Sequence, residues 1–187
     1  FGGNVRIGVV DSLDPIGSTD RFVTGLIPVG ESSLDLIANE GFVISAKRSR
    51  LNWDMRLDSS VGQFRAFVEG DFAGSAGSSD VLRLRHAYGQ YNRFLLGQTW
   101  STLMDTAAIP EDVDFEGLNA ISLFRKPQMR WTTPFGKANS VSVALENPAP
   151  DVTGAAGLNQ VPDIIARVRW EPERVRGPLG LVQGIGH

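Results

Sequence analysis

The stretch Arg48-Ser49-Arg50-Leu51-Asn52-Trp53-Asp54-Met55-Arg56-Leu57-Asp58 divides by parity. Ser49, Leu51, Trp53, Met55 and Leu57 form an almost wholly apolar odd set, whereas Arg48, Arg50, Asn52, Asp54, Arg56 and Asp58 form an ionic even set. Side chains of an extended chain point alternately to opposite faces, so this segment reads as a strand with one apolar and one charged face. The next run keeps the pattern: Phe64, Ala66, Val68, Gly70 and Phe72 oppose Arg65, Phe67, Glu69 and Asp71. Further on, Leu82, Leu84 and Tyr88 alternate with Arg83, Arg85, Gly89 and Tyr91, with His86 and Gln90 as polar exceptions on the apolar side.

Strand patterns continue at Phe94 to Trp100, Ile121 to Thr132, Val141 to Leu145 and Ile164 to Trp170. Lys126, Gln128 and Arg130 fall on the polar side of the first half of that set, and Asp163, Arg167 and Arg169 on the polar side of the last strand. With Gly3 to Val10 at the start and Leu179 to Ile185 at the end, the chain holds roughly nine strands and no convincing helical period. Short turns near Ser59–Gly62, Asn92–Arg93, Pro134–Lys137 and Pro172–Gly177 alternate with mostly longer connections at Asp11–Gly41, Gly74–Asp80, Ser101–Ala120 and Pro148–Gln160. Short turns on one rim and long loops on the other make an all-β, antiparallel, up-and-down layout. No repeat or second domain interrupts the 187 residues.

Composition narrows the alternatives. The absence of Cys excludes disulfides, thiol catalysis and Cys-based metal sites. A net charge of −3 gives no bulk attraction for nucleic acid. No run of 18 apolar residues exists, so no transmembrane helix is encoded; barrel strands pass that test unseen because they alternate. Phe1 is preceded by no Met and followed by no basic and apolar leader, so an export signal is expected outside these residues.

Alternation alone fits both a soluble lipocalin-like barrel, with the apolar face inside, and a membrane barrel, with that face on lipid. Fifteen arginines against three lysines, aromatics near strand ends (Trp100, Trp131, Phe135 and Trp170) and small residues on the apolar face favour the membrane barrel. Arg48, Arg50, Arg56, Arg65, Arg83, Arg85, Lys126, Arg130, Arg167 and Arg169 share the polar face and would stack into a ladder that attracts small anionic solutes. They could equally form a structural network neutralised by Asp54, Asp58, Glu69, Asp71 and Glu146, and the two roles can coexist.

Ser101 to Ala120 carries Asp105, Glu111, Asp112, Asp114 and Glu116, either as a solvated surface loop or folded inward against the arginines. Those acids are of the type that holds Ca²⁺, but their spacing matches no EF-hand, so the signal is weak and no metal site is assigned. His86 and His187, the only histidines, offer no triad, and neither a nucleophile elbow nor a phosphate loop occurs. No catalysis and no cofactor is expected.

Four segments stand in order: Leu82-Arg83-Leu84-Arg85-His86-Ala87-Tyr88-Gly89-Gln90-Tyr91, Leu96-Gly97-Gln98-Thr99-Trp100-Ser101-Thr102-Leu103-Met104-Asp105, Asp114-Phe115-Glu116-Gly117, and Ser142-Val143-Ala144-Leu145-Glu146-Asn147-Pro148. With Asp11, Asp20-Arg21-Phe22-Val23 and Arg48-Ser49-Arg50-Leu51, they resemble the DcaP-like family of trimeric outer-membrane porins over most of the chain. The resemblance implies a larger barrel of about sixteen strands, of which this chain is roughly the N-terminal half, incomplete at its C-terminus. It also implies an outer-membrane location among lipid and lipopolysaccharide, a homotrimer, a constriction loop at residues 101–120 and passive passage of dicarboxylate-like anions. The competing expectation is a small closed eight-stranded membrane barrel, structural or adhesive, sealed by interior ion pairs.

Overall fold

The structure is a computed structural model and describes residues 1–11, 42–76, 79–108, 124–136, 138–148 and 160–171. The described strands are β1 (Gly2–Asn4), β2 (Gly8–Asp11), β3 (Phe42–Ser45), β4 (Arg50–Ser59), β5 (Gly62–Ala76), β6 (Ser79–Tyr91), β7 (Phe94–Trp100), β8 (Arg125–Phe135), β9 (Asn139–Glu146) and β10 (Asp163–Arg169). Eight of them form one antiparallel sheet in the order β1-β4-β5-β6-β7-β8-β9-β10, while β2 and β3 pair separately. From β4 onward each strand lies beside its sequence neighbour, which is the up-and-down order expected. Among the described residues β1 and β10 are not paired with each other, so the eight-stranded sheet is open and is not the small closed barrel. None of the described helices is long and apolar enough to cross a membrane.

Cross-strand partners share a face, so the ladder fixes which side chains lie together. Leu51, Trp53, Met55 and Leu57 pair with Gly70, Val68, Ala66 and Phe64, and this face continues through Leu96, Met129, Leu145 and Ile164. It is the open face: Leu51 is 62% exposed and Ile164 77%. The opposite, charged face is the covered one, with Asp71 and Glu146 each only 1% exposed. A soluble sandwich or lipocalin buries its apolar set, so that alternative fails. In water such a face would cost about 25 cal/mol per Å² of apolar surface left exposed; against lipid tails that cost vanishes.

The strand limits differ from the sequence expectation in ways with local causes. The first strand is two, because the chain leaves β4 after Asn4 and rejoins β3 at Gly8. The strand expected from Arg48 begins at Arg50, since Ala46 to Ser49 is a turn closed by Ser49 N–H donating to the Ala46 carbonyl (2.9 Å). Strand β3 answers to no expected strand. The expected loop at Gly74–Asp80 is largely ladder, pairing up to Ala76↔Ser79. Strand β8 is described from Arg125, and Leu179 to Ile185 lie outside the described residues.

The most consequential difference is a β-bulge. Glu69 pairs with His86, but Gly70 pairs with Leu84, so Arg85 is an extra residue in β6. A bulge admits one residue without a partner and shifts the phase of everything beyond it. His86, Tyr88 and Gln90 therefore join Arg83 and Arg85 on the charged face, opposite Glu69, Phe67 and Arg65. They are not exceptions on the apolar side. Correspondingly, Tyr91 pairs with Phe64 and belongs to the apolar face. The Asn92-Arg93 turn follows at once, with Asn92 at φ 50°, a left-handed conformation that Asn tolerates.

Candidate functional site

On β4, β5 and β6 the charged face is a lattice of ion pairs. Arg85 donates to Glu69 Oε1 through Nε (3.0 Å) and to Asp71 Oδ2 through Nη1 (2.7 Å). Arg83 grips the same Asp71 with a two-point fork, Nε to Oδ1 at 2.9 Å and Nη2 to Oδ2 at 2.7 Å. Arg50 approaches Glu69 at 3.9 Å. Nearer the Ser59–Gly62 turn, Arg65 forks onto Asp54 (2.8 and 2.9 Å) and lies over the Phe67 ring at 5.1 Å. Arg56 reaches the same carboxylate at 2.8 Å. The two-point geometry fixes guanidinium planes as well as charge.

Across β8, β9 and β10 the face is arranged differently, because the chain leaving β7 folds back over it. Ser101 Oγ–H donates to Glu146 Oε2 (2.7 Å) and Thr102 N–H to Glu146 Oε1 (2.6 Å). Thr102 Oγ1–H donates to Gln128 Oε1 (3.1 Å), whose Nε2 donates to the Trp100 carbonyl (2.8 Å). Further along, Arg167 Nη1 donates to the Met104 carbonyl (2.6 Å), and Asp105 lies 3.4 Å from Arg169 Nε. Glu146 is level with Asp163, and Arg169 lies at the other end of β10. Six residues of strand cover about 20 Å, so Ser101 to Asp105 runs down the charged face rather than away from it. Ser142 and Ala144, small residues in phase with Glu146 on β9, are buried on the same face.

The ten expected bases therefore divide. Arg56, Arg65, Arg83 and Arg85 are paired to carboxylates on β4 and β5, and Lys126 to Asp163 at 2.9 Å. Arg167 and Arg169 hold the inward segment, and Arg169 also meets Glu171. Arg48 lies in the turn before β4 rather than on the ladder, and Arg50 at its end. Arg130 lies between Leu95 and Ala144 on the charged face with no ion pair among the described residues. Of the five acids, Asp105 is on the inward segment; Glu111, Asp112, Asp114 and Glu116 lie outside the described residues. Of the five expected neutralising acids, Asp54, Glu69 and Asp71 do pair with arginines, Asp58 lies opposite Gln63 on the ladder with no ion pair among the described residues, and Glu146 binds neutral donors.

Parity reasoning missed Arg125, which fell on the apolar side of its strand. It stacks 3.8 Å over the Trp100 ring, which His86 meets edge-on at 5.4 Å. Trp100 is thus engaged with a cation and an imidazole, not with the other end-of-strand aromatics. A lone Arg in an apolar register was itself the available signal, since a charge facing lipid is costly. His86 is held by Thr99 Oγ1 at 3.0 Å. Among the described residues no group of His, Asp and Glu is arranged to hold a metal ion.

An antiparallel up-and-down sheet with a lipid-compatible outside and a charged, loop-covered inside defines a transmembrane β-barrel protein of the bacterial outer membrane. The match to a family model makes this specific: residues 1–182 fit the DcaP outer membrane protein model, and the chain belongs to that family. The fold is similar to the crystal structure of the outer membrane channel DcaP of Acinetobacter baumannii, with a TM-score of 0.66 and 29% sequence identity over 89% of this chain. That match covers 48% of the solved channel, so this chain spans about half its length. No curated protein matches the sequence.

Proposed function

We propose that this chain is part of a passive outer-membrane channel for small anions, dicarboxylates among them, working as a homotrimer and not as an enzyme. The single observation that carries the reading is the division of the inner face. Most of its arginines are held by carboxylates, while Arg130 makes no ion pair among the described residues. A guanidinium without an ion pair among the described residues is what an anion can exchange with in passing: a charge-assisted hydrogen bond draws it in, and an incomplete cage lets it leave. In this reading residues 101–120 form the constriction, whose described part sets Asp105 beside Arg169 on the charged face, and opposed charges at a narrow point set a transverse field in the pore.

The reading is tested by reversal potentials of the complete protein in a planar bilayer across a salt gradient. Anion preference is expected, and Arg130→Glu should reduce it more than Arg83→Glu, whose charge is committed to Asp71. Deleting Asp105 to Glu116 should raise conductance and weaken block by a dicarboxylate. Cation preference in the parent channel overturns the proposal.

A further inference from the structure

We infer that Glu146 is the latch that holds the inward segment against the barrel wall. A carboxylate this deeply covered ordinarily finds a cation. Glu146 instead receives the Ser101 hydroxyl and the Thr102 N–H, at 2.7 and 2.6 Å, although Arg130 occupies the adjoining strand. Thr102 is sealed from solvent, and its hydroxyl is tied to Gln128, which in turn holds the Trp100 carbonyl. One residue on β9 and one on β8 thus satisfy the backbone and side-chain groups at the point where the chain turns inward. Downstream, Met104 and Asp105 are held by Arg167 and Arg169, partners that remain partly exposed to water.

The effect of the latch on conduction rests on the channel reading above, whereas the latch itself does not, and the test separates them. Leu103 is 71% exposed and adjoins the latch, and these 187 residues contain no cysteine, so Leu103→Cys in the complete protein accepts a nitroxide label. In the parent the spectrum should be that of an immobilised label. Glu146→Ala should shift it to a mobile line shape, and Ser101→Ala, which leaves the wall untouched, should shift it part of the way. Glu146→Gln keeps an acceptor for the Thr102 N–H and should restore the immobile spectrum. In a bilayer, Glu146→Ala should raise single-channel conductance and open-channel noise. A label that stays immobile in both Glu146→Ala and Ser101→Ala overturns the latch. A label that is freed while conductance and noise stay at parent values supports the latch and overturns the constriction reading.

Discussion

Asp71 on β5 and Glu146 on β9 are equally buried carboxylates on the same face of one sheet, yet they are satisfied in opposite ways. Asp71 takes hydrogen bonds from two arginines and from the Ala73 N–H; Glu146 takes them from a hydroxyl and a backbone N–H. The first arrangement turns like charges into a rigid wall, because each carboxylate sits between guanidinium groups that would otherwise repel. The second fastens a returning segment without an ion pair among the described residues. Charge density is therefore a poor guide to where positive charge is left unpaired: among the described residues the arginine-rich patch on β4 to β6 is the one most fully paired with carboxylates.

Removing the central carboxylate of the rigid wall should have the largest effect. Asp71→Ala leaves Arg83 without its fork and Arg85 with only Glu69, and loss of one member of a buried ionic cluster costs about 3–5 kcal/mol. Denaturant unfolding of the barrel in detergent measures it; a loss under about 1 kcal/mol would mean the wall is wet enough to make the pairs superficial.

A second, smaller loss is expected where the two regions join. Pairing of β6 with β7 ends at Ala87↔Gln98, and Gly97 has φ 131°, with a Cβ there falling 2.3 Å from the Ala87 carbonyl oxygen. Gly97→Ala should cost about 1–3 kcal/mol through backbone strain. Unfolding at the parent midpoint would show that the junction is slack. By contrast, Arg130→Ala should leave the midpoint nearly unchanged while weakening dicarboxylate block. A midpoint shift as large as that of Asp71→Ala would place Arg130 in the structural class instead.

The same contrast explains what was legible in the sequence. The alternation from Arg50 to Ser59 identified its faces outright, because each side chain reports its own face. Phase errors were harder. Arg85 and His86 break parity by one residue, so His86 and Gln90 looked like polar intruders on an apolar side; a bulge puts them back in register with Arg83, and the break itself was the clue. Ionic partners were partly legible, since Asp54, Glu69 and Asp71 lie opposite arginines at strand spacing. The latch was not: Ser101, Thr102 and Gln128 are uncharged, and their link to Glu146 spans 44 residues for Thr102, a separation that no local pattern records. Arg125 was lost because its role depends on stacking against a neighbouring strand.

The smallest effect expected comes from the rim of the rigid wall, where the same type of pair meets water. Arg56 and Arg65 both bind Asp54, but Arg56 is two residues away on the same strand, and its side chain is 61% exposed against 30% for Arg65. Arg65 is oriented by the Phe67 and Tyr88 rings on its flank, at 5.1 and 5.7 Å, so its fork needs little further ordering. Among the described residues Arg56 has only the carboxylate. An exposed pair contributes about 0.2–1 kcal/mol and is screened by salt, so Arg56→Ala should shift the unfolding midpoint slightly, and not at all in molar salt. Asp54 stays neutralised by Arg65 in that variant. The change should therefore be felt mainly as a slower anion entry rate at low ionic strength, read from the onset of dicarboxylate block. An Arg56→Ala midpoint shift that persists in high salt would mean that the rim is as dry as the patch around Asp71, and the distinction between wall and rim would fall.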